Sequence, residues 1–123
     1  MVSVLICDDI EFIRRLLRKV FSKEGHKIVG EATTGLEAVE MYKQLSPRPD
    51  LVTMDVMIPG NINGIQALEK IKEINPEAKV IIISVLDHKD IANKALELGA
   101  LEFISKPFSI QNLVNVIKNI FSG

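Results

Sequence analysis

The chain has 123 residues, 47% of them hydrophobic and 25% charged, with a formal net charge of −1. That length and balance fit a globular domain that closes one core without staples, and they exclude a disordered chain or a strongly basic nucleic-acid binder. A single cysteine, Cys7, excludes an intramolecular disulfide, and no apolar run approaches the roughly 20 positions of a membrane helix.

The first apolar run covers residues 2–7 and stops at two consecutive aspartates, Asp8 and Asp9. It has no basic leader and no cleavage site, so a cytoplasmic protein is expected. At about 100° per residue, Phe12, Ile13, Leu16, Leu17, Val20 and Phe21 fill one half of a helix, and Arg14, Arg15, Arg18 and Lys19 the other. A basic half-face of this kind reads first as solvated, with partner docking as the functional alternative. Without an aromatic platform beside it, it does not predict nucleic-acid binding. Gly25 stands just past this helix, where a left-handed cap is favoured. A second strand is expected over 27–32, a weaker helical pattern over 36–45, and a third strand over 51–54 that runs into Asp55. Pro47 and Pro49 fall in the connection before it.

A further weak helix is expected over 65–74, with Pro76 beyond it. Residues 80–84 form an apolar strand that ends on Ser84, and a helical pattern over 91–98 closes at Gly99. The fifth strand, 101–105, is followed by Lys106-Pro107. Ser109 is a candidate N-cap for the last helix, in which Ile110, Leu113, Val114, Val116, Ile117, Ile120 and Phe121 share a face.

Three of the strands are nearly continuous in apolar character, as parallel strands covered on both faces should be. Five strands alternating with five helices predict a doubly wound α/β domain over residues 1–123 with right-handed crossovers. The expected order is 2-1-3-4-5, a flavodoxin-like (βα)5 fold with no output domain. Ligands then bind at the carboxyl ends of the strands, near strands 1 and 3.

Asp8, Asp9, Asp55, Ser84 and Lys106 all fall at those ends. Singly, each has an ordinary reading: Asp8-Asp9 as helix caps, Asp55 and Ser84 as structural residues, Lys106-Pro107 as a turn. Jointly, three carboxylates at one place repel by about 4 kcal/mol per pair at 4 Å and an effective dielectric near 20. They therefore call for a cation. Oxygen ligands without His or Cys select a hard ion, Mg2+ first. A hard cation, a carboxylate, a hydroxyl and an ammonium together suit phosphoryl transfer.

The stretches Val4-Leu5-Ile6-Cys7-Asp8-Asp9, Thr53-Met54-Asp55-Val56-Met57-Ile58-Pro59, Ile81-Ile82-Ile83-Ser84 and Gly99-Ala100-Leu101-Glu102-Phe103-Ile104-Ser105-Lys106-Pro107-Phe108 resemble the response-regulator receiver family. Its simplest members include the chemotaxis response regulator. The resemblance covers nearly the whole chain. It implies a signalling protein of a two-component system in which Asp55 is the phosphoacceptor. Asp9 is implied as a direct Mg2+ ligand, Asp8 as one acting through water, and the Met57 backbone carbonyl as a further ligand. It implies Ser84 and Phe103 as switch residues, Lys106 as the fixed cation, and a cis peptide before Pro107. The implied donor is a histidine kinase or histidine phosphotransfer protein. The implied output is a shifted helix 4–strand 5–helix 5 face that meets a downstream protein. The expected state is a monomer, with phosphorylation-dependent dimerisation as the alternative. A phosphorelay intermediate is the alternative to a chemotaxis-type regulator. More distant rivals are a flavin-type binding module, which lacks its phosphate cradle here, and an aspartyl-nucleophile phosphatase, which would need a cap.

Three departures from the family pattern set further expectations. Gly64 comes nine residues after Asp55 instead of eight, because Gly60-Asn61-Ile62-Asn63 lengthens the loop, so an altered loop shape is expected beside the metal site. Val85 follows Ser84 where the family favours a small residue, so slower transfer from bulky donors is expected. Met57 and Leu86 are apolar where a hydrolytic water would be oriented, so a long-lived phosphoryl group is expected.

Overall fold

The computed structural model describes residues 1–85 and 89–122. Its elements run β1 (Ser3–Cys7), α1 (Glu11–Lys23), β2 (Lys27–Ala32), α2 (Gly35–Gln44), β3 (Leu51–Met54), α3 (Gly64–Ile74), β4 (Val80–Ser84), α4 (Lys89–Glu97), β5 (Glu102–Ser105) and α5 (Ile110–Phe121). The five strands are parallel in the order β2-β1-β3-β4-β5, as expected. All residues of β3 and β4 are buried, which explains their continuous apolar character.

Strand alternation divides the core in two. Leu5, Cys7, Val52, Met54, Val80 and Ile82 face α2, α3 and α4, where Tyr42, Leu68 and Ile71 are fully buried. Val4, Ile6, Leu51, Ile81, Ile83 and Ile104 face α1 and α5, against Leu17, Phe21 and Leu113. Helices therefore cover both faces, and the carboxyl edge of the sheet is left for the loops.

The local signals act as read. Gly25 (φ 84°) and Gly99 (φ 104°) both adopt the left-handed region after helices. The Ser109 hydroxyl accepts from the Asn112 N–H at 2.9 Å and caps α5. Peptides 46–47 and 106–107 are cis. Burial pushes the Cys7 thiol up to about 12, with the neighbouring carboxylates adding to the effect, so Cys7 behaves as a small apolar side chain.

Two side chains leave their predicted faces. Phe12 is 70% exposed and Ile110 51%. Both lie in the first turn of a helix that starts at the carboxyl edge of the sheet, where no strand lies beneath it. Periodicity assigns them a face, but the sheet ends before that face can be covered. Among the described residues, no helix is long and apolar enough to cross a membrane.

Candidate functional site

Strand order brings the acidic groups together. Because β1 lies beside β3, the residues after Cys7 and Met54 emerge side by side, and the Asp55 N–H donates to the Cys7 carbonyl at 3.1 Å. Asp8, Asp9 and Asp55 each place one carboxylate oxygen within 4.8 Å of the others'. Asp8 and Asp55 are buried, while Asp9 faces solvent. These three residues come from opposite ends of the first half of the chain, and adjacency of two strand ends is what unites them.

Lys106 completes the cluster from β5. Its Nζ donates to Asp8 Oδ2 at 2.6 Å and to Asp55 Oδ2 at 2.9 Å, and its side chain is only 6% exposed. Its backbone N–H donates to the Ser84 carbonyl at 2.9 Å, which ties the lysine turn to the end of β4. Burial opposes the ammonium, but the hydrogen bonds to Asp8 and Asp55 outweigh it and hold Lys106 above the ordinary lysine range. Burial lifts the Asp8 carboxyl above the usual carboxylate range, although Lys106 and the Ile10 N–H both favour its charged form. An anionic pocket with one buried cation is thus under-neutralised. An all-oxygen set of closely spaced carboxylates is what a hard divalent ion fits.

The other carboxylate oxygens are engaged by the backbone. Asp8 Oδ1 accepts from the Ile10 N–H and Asp55 Oδ1 from the Met57 N–H, both at 3.0 Å. Each aspartate therefore turns the chain beyond its strand and keeps its second oxygen for the pocket. Ser84 is fully buried at the end of β4. Phe103 is half-buried and packs on the α4 side of the sheet. Met57 and Val85 are 54% and 56% exposed beside Asp55 and Ser84. Leu86 lies outside the described residues.

Gly64 returns beneath the acceptor strand, and its N–H donates to the Val56 carbonyl at 3.0 Å. A Cβ there would overlap the Asp55 carbonyl, so only glycine fits. Further out in the loop, Gly60 takes φ 106° and Ile62 packs toward Gly35. Asn63 then forms a reciprocal capping box with Gln66, with bonds of 2.9 and 2.8 Å. That Asn-x-x-Gln signal is visible in the sequence and explains where α3 starts.

The basic half of α1 is solvated at Arg15 and Lys19, as expected, but not at Arg14 and only in part at Arg18. Arg14 is largely buried; its Nη1 donates to the Asp8 carbonyl at 2.9 Å, and its Nε pairs with Glu31 at 3.3 Å. Arg18 pairs with the other Glu31 oxygen at 2.8 Å. Periodicity places Arg14 opposite the apolar stripe, but nothing local reveals that the end of β2 supplies a carboxylate there.

Residues 4–118 match the family described as response regulator receiver domain. The chain is 42% identical to chemotaxis protein CheY of Thermotoga maritima, over 95% of each chain. It is 39% identical to sporulation initiation phosphotransferase F of Bacillus subtilis, over 94% of this chain and 90% of that protein. Among solved structures, it resembles a chain of the CheX-CheY-BeF3-Mg2+ complex of Borrelia burgdorferi with a TM-score of 0.93. That match has 36% identity and covers 98% of this chain and 89% of the other.

Proposed function

The chain belongs to the response-regulator receiver family, and on that premise we propose that Asp55 accepts a phosphoryl group from a phosphohistidine. The observation that carries this reading is the convergence of Asp8, Asp9 and Asp55 within 4.8 Å, with the Lys106 ammonium on two of them. In the transfer, an Asp55 carboxylate oxygen forms the new P–O bond as the P–N bond to the donor imidazole breaks and the electron pair leaves on nitrogen. Lys106 supplies a fixed positive charge for the equatorial oxygens. Asp8, Asp9, Asp55 and the Met57 carbonyl are the groups that would hold Mg2+. A bound ion would supply further positive charge for the same oxygens.

Ser84 closes the pocket from β4 and would donate its hydroxyl to the phosphoryl group. Phe103 would follow it inward. New contacts of this kind favour one of two arrangements of the α4–β5–α5 face, which a downstream protein then reads. The protein would catalyse only its own phosphorylation and dephosphorylation, acting in the cytoplasm as a monomer.

A chemotaxis-type two-component regulator is the reading favoured by the relatives, which match it over nearly their full length. A phosphorelay intermediate is the second reading, favoured by the similarity to sporulation initiation phosphotransferase F. Rapid return of the phosphoryl group to a histidine phosphotransfer protein would select it over the first.

The test is incubation with acetyl phosphate and Mg2+, followed by intact mass. One phosphoryl group should be added to the wild type and none to Asp55→Ala or to wild type in EDTA. Equal modification of Asp55→Ala would defeat the assignment.

A further inference from the structure

We infer that Arg14 is a positioning residue for the acidic pocket: it fixes the backbone of the Asp8-Asp9 turn against β2 and so sets how those carboxylates face Asp55. This inference rests on the reading of Asp8, Asp9 and Asp55 as a divalent-cation site.

Every hydrogen-bonding group of Asp8 is committed. Its N–H donates to the Ala32 carbonyl at 3.0 Å, and its carbonyl accepts from Arg14 Nη1 at 2.9 Å. Oδ1 accepts from Ile10 and Oδ2 from Lys106. Two of these four bonds lead to β2, one directly through Ala32 and one through the Arg14–Glu31 pair. Glu31 is itself held by its place opposite Ile6 in the β1–β2 register and by Arg18 on its other oxygen.

Among the described residues, the start of α1 has no other anchor of this kind. Its N-cap is Ile10, which provides no side-chain cap. The angle at which the chain leaves β1 is therefore set by the Asp8 carboxylate on Ile10 and by the Arg14 guanidinium on the Asp8 carbonyl. Asp9, exposed and next in sequence, turns with that peptide. Repulsion among the carboxylates tends to splay the turn, and a rigid brace on the backbone opposes it. Only a guanidinium suits the task, since its forked donors reach a carbonyl and a carboxylate at once; a lysine ammonium is a single point of charge.

Charge and geometry make opposite predictions, and this gives the test its power. A cation at Arg14 by itself disfavours a second cation nearby, so removal of its charge alone would tighten divalent binding. Loss of the brace would weaken it, and groups that orient metal ligands from behind typically matter by about 10-fold or more.

Binding of Mn2+ to the full chain, read from the signal of free Mn2+ by electron paramagnetic resonance, tests the inference without reference to phosphorylation. Arg14→Lys and Arg14→Met should both bind about 10-fold more weakly than wild type. Arg15→Met, which removes the same charge from an exposed residue paired with Glu11, should bind as wild type or slightly more tightly. Thermal melts in EDTA identify any unfolded variant, and Arg14→Lys decides the matter if Arg14→Met does not fold. Wild-type or tighter binding by folded Arg14→Lys overturns the inference. Asp9→Asn separates the two levels. If it loses Mn2+ while the Arg14 variants keep it, only the inference fails. If Asp9→Asn binds as wild type, the cation-site reading fails and takes the inference with it.

Discussion

Replacing Lys106 by methionine keeps most of the buried stem and removes the ammonium that bridges Asp8 and Asp55. The two contacts, at 2.6 and 2.9 Å, are each worth about 6 kcal/mol in gross attraction at an effective dielectric near 20. The lysine's own desolvation offsets much of that. Removing one partner of a buried pair, however, leaves the other uncompensated, at a typical cost of 3–5 kcal/mol. Asp8 limits the loss by taking up a proton. Its carboxyl already sits above the usual range because of burial, and without Lys106 two influences that lower it disappear. A carboxyl whose folded pKa is raised leaves stability intact below the unfolded value near 4, and stability is lost as pH climbs through the folded value. The gap between wild type and Lys106→Met should therefore be smaller at pH 5 than at pH 8, where it reaches about 3 kcal/mol. In urea with EDTA, with a slope of about 1–3 kcal/mol/M, that is a midpoint lower by roughly 1–3 M, followed by far-UV circular dichroism. Mg2+ should restore more stability to the variant than it adds to the wild type, because it no longer competes with the lysine. Equal midpoints at pH 8, or a loss of the same size at both pH values, would refute the view that Lys106 neutralises the pocket.

Three further outcomes follow from single sites. Gly64→Ala places a methyl group against the Asp55 carbonyl, so it should cost about 1–3 kcal/mol and lower the melting temperature by roughly 5 °C or more; an unchanged melt would show that the loop yields freely. Among the described residues, Thr53 carries the buried side-chain oxygen without a hydrogen-bond partner. Thr53→Val should be neutral or stabilising by up to about 1 kcal/mol in urea, and a clear loss would mean that the hydroxyl is bonded after all. Val85→Ala should speed phosphorylation by a histidine-bearing protein about two- to fivefold, the equivalent of relieving about 0.5–1 kcal/mol of crowding, and leave acetyl phosphate unaffected; equal rates with the protein donor would count against crowding.

Much of this protein is legible residue by residue. The strands at 51–54 and 80–84 were expected where they occur, because burial on both faces leaves them largely apolar, while the strand at 27–32, partly exposed at the sheet edge, keeps Lys27 and Glu31 among its residues. Caps and breakers such as Gly25, Gly99 and Ser109 act within a few residues of themselves, so their effect needs no knowledge of the fold. The convergence of Asp8, Asp9, Asp55 and Lys106 was legible too: each alone has an ordinary reading, but their joint place at strand ends does not.

What escaped the sequence reading depends on contacts between distant segments. The exposure of Phe12 depends on where the sheet edge lies, and the burial of Arg14 depends on Glu31, which reaches it from a strand beyond its own helix. Periodicity describes one element against an average environment; it cannot say which neighbour stands at a given turn. The sequence alone was enough for the elements and their order along the chain, which follow from local propensity and patterning, and for the gathering of Asp8, Asp9, Asp55 and Lys106, which follows from their places at strand ends. Only the tertiary structure decided how Lys106 divides its ammonium between two carboxylates and what braces Asp8 from behind, because the lysine bonds span 98 and 51 residues and form only when strand ends meet, and Arg14 is held by Glu31 of a neighbouring strand.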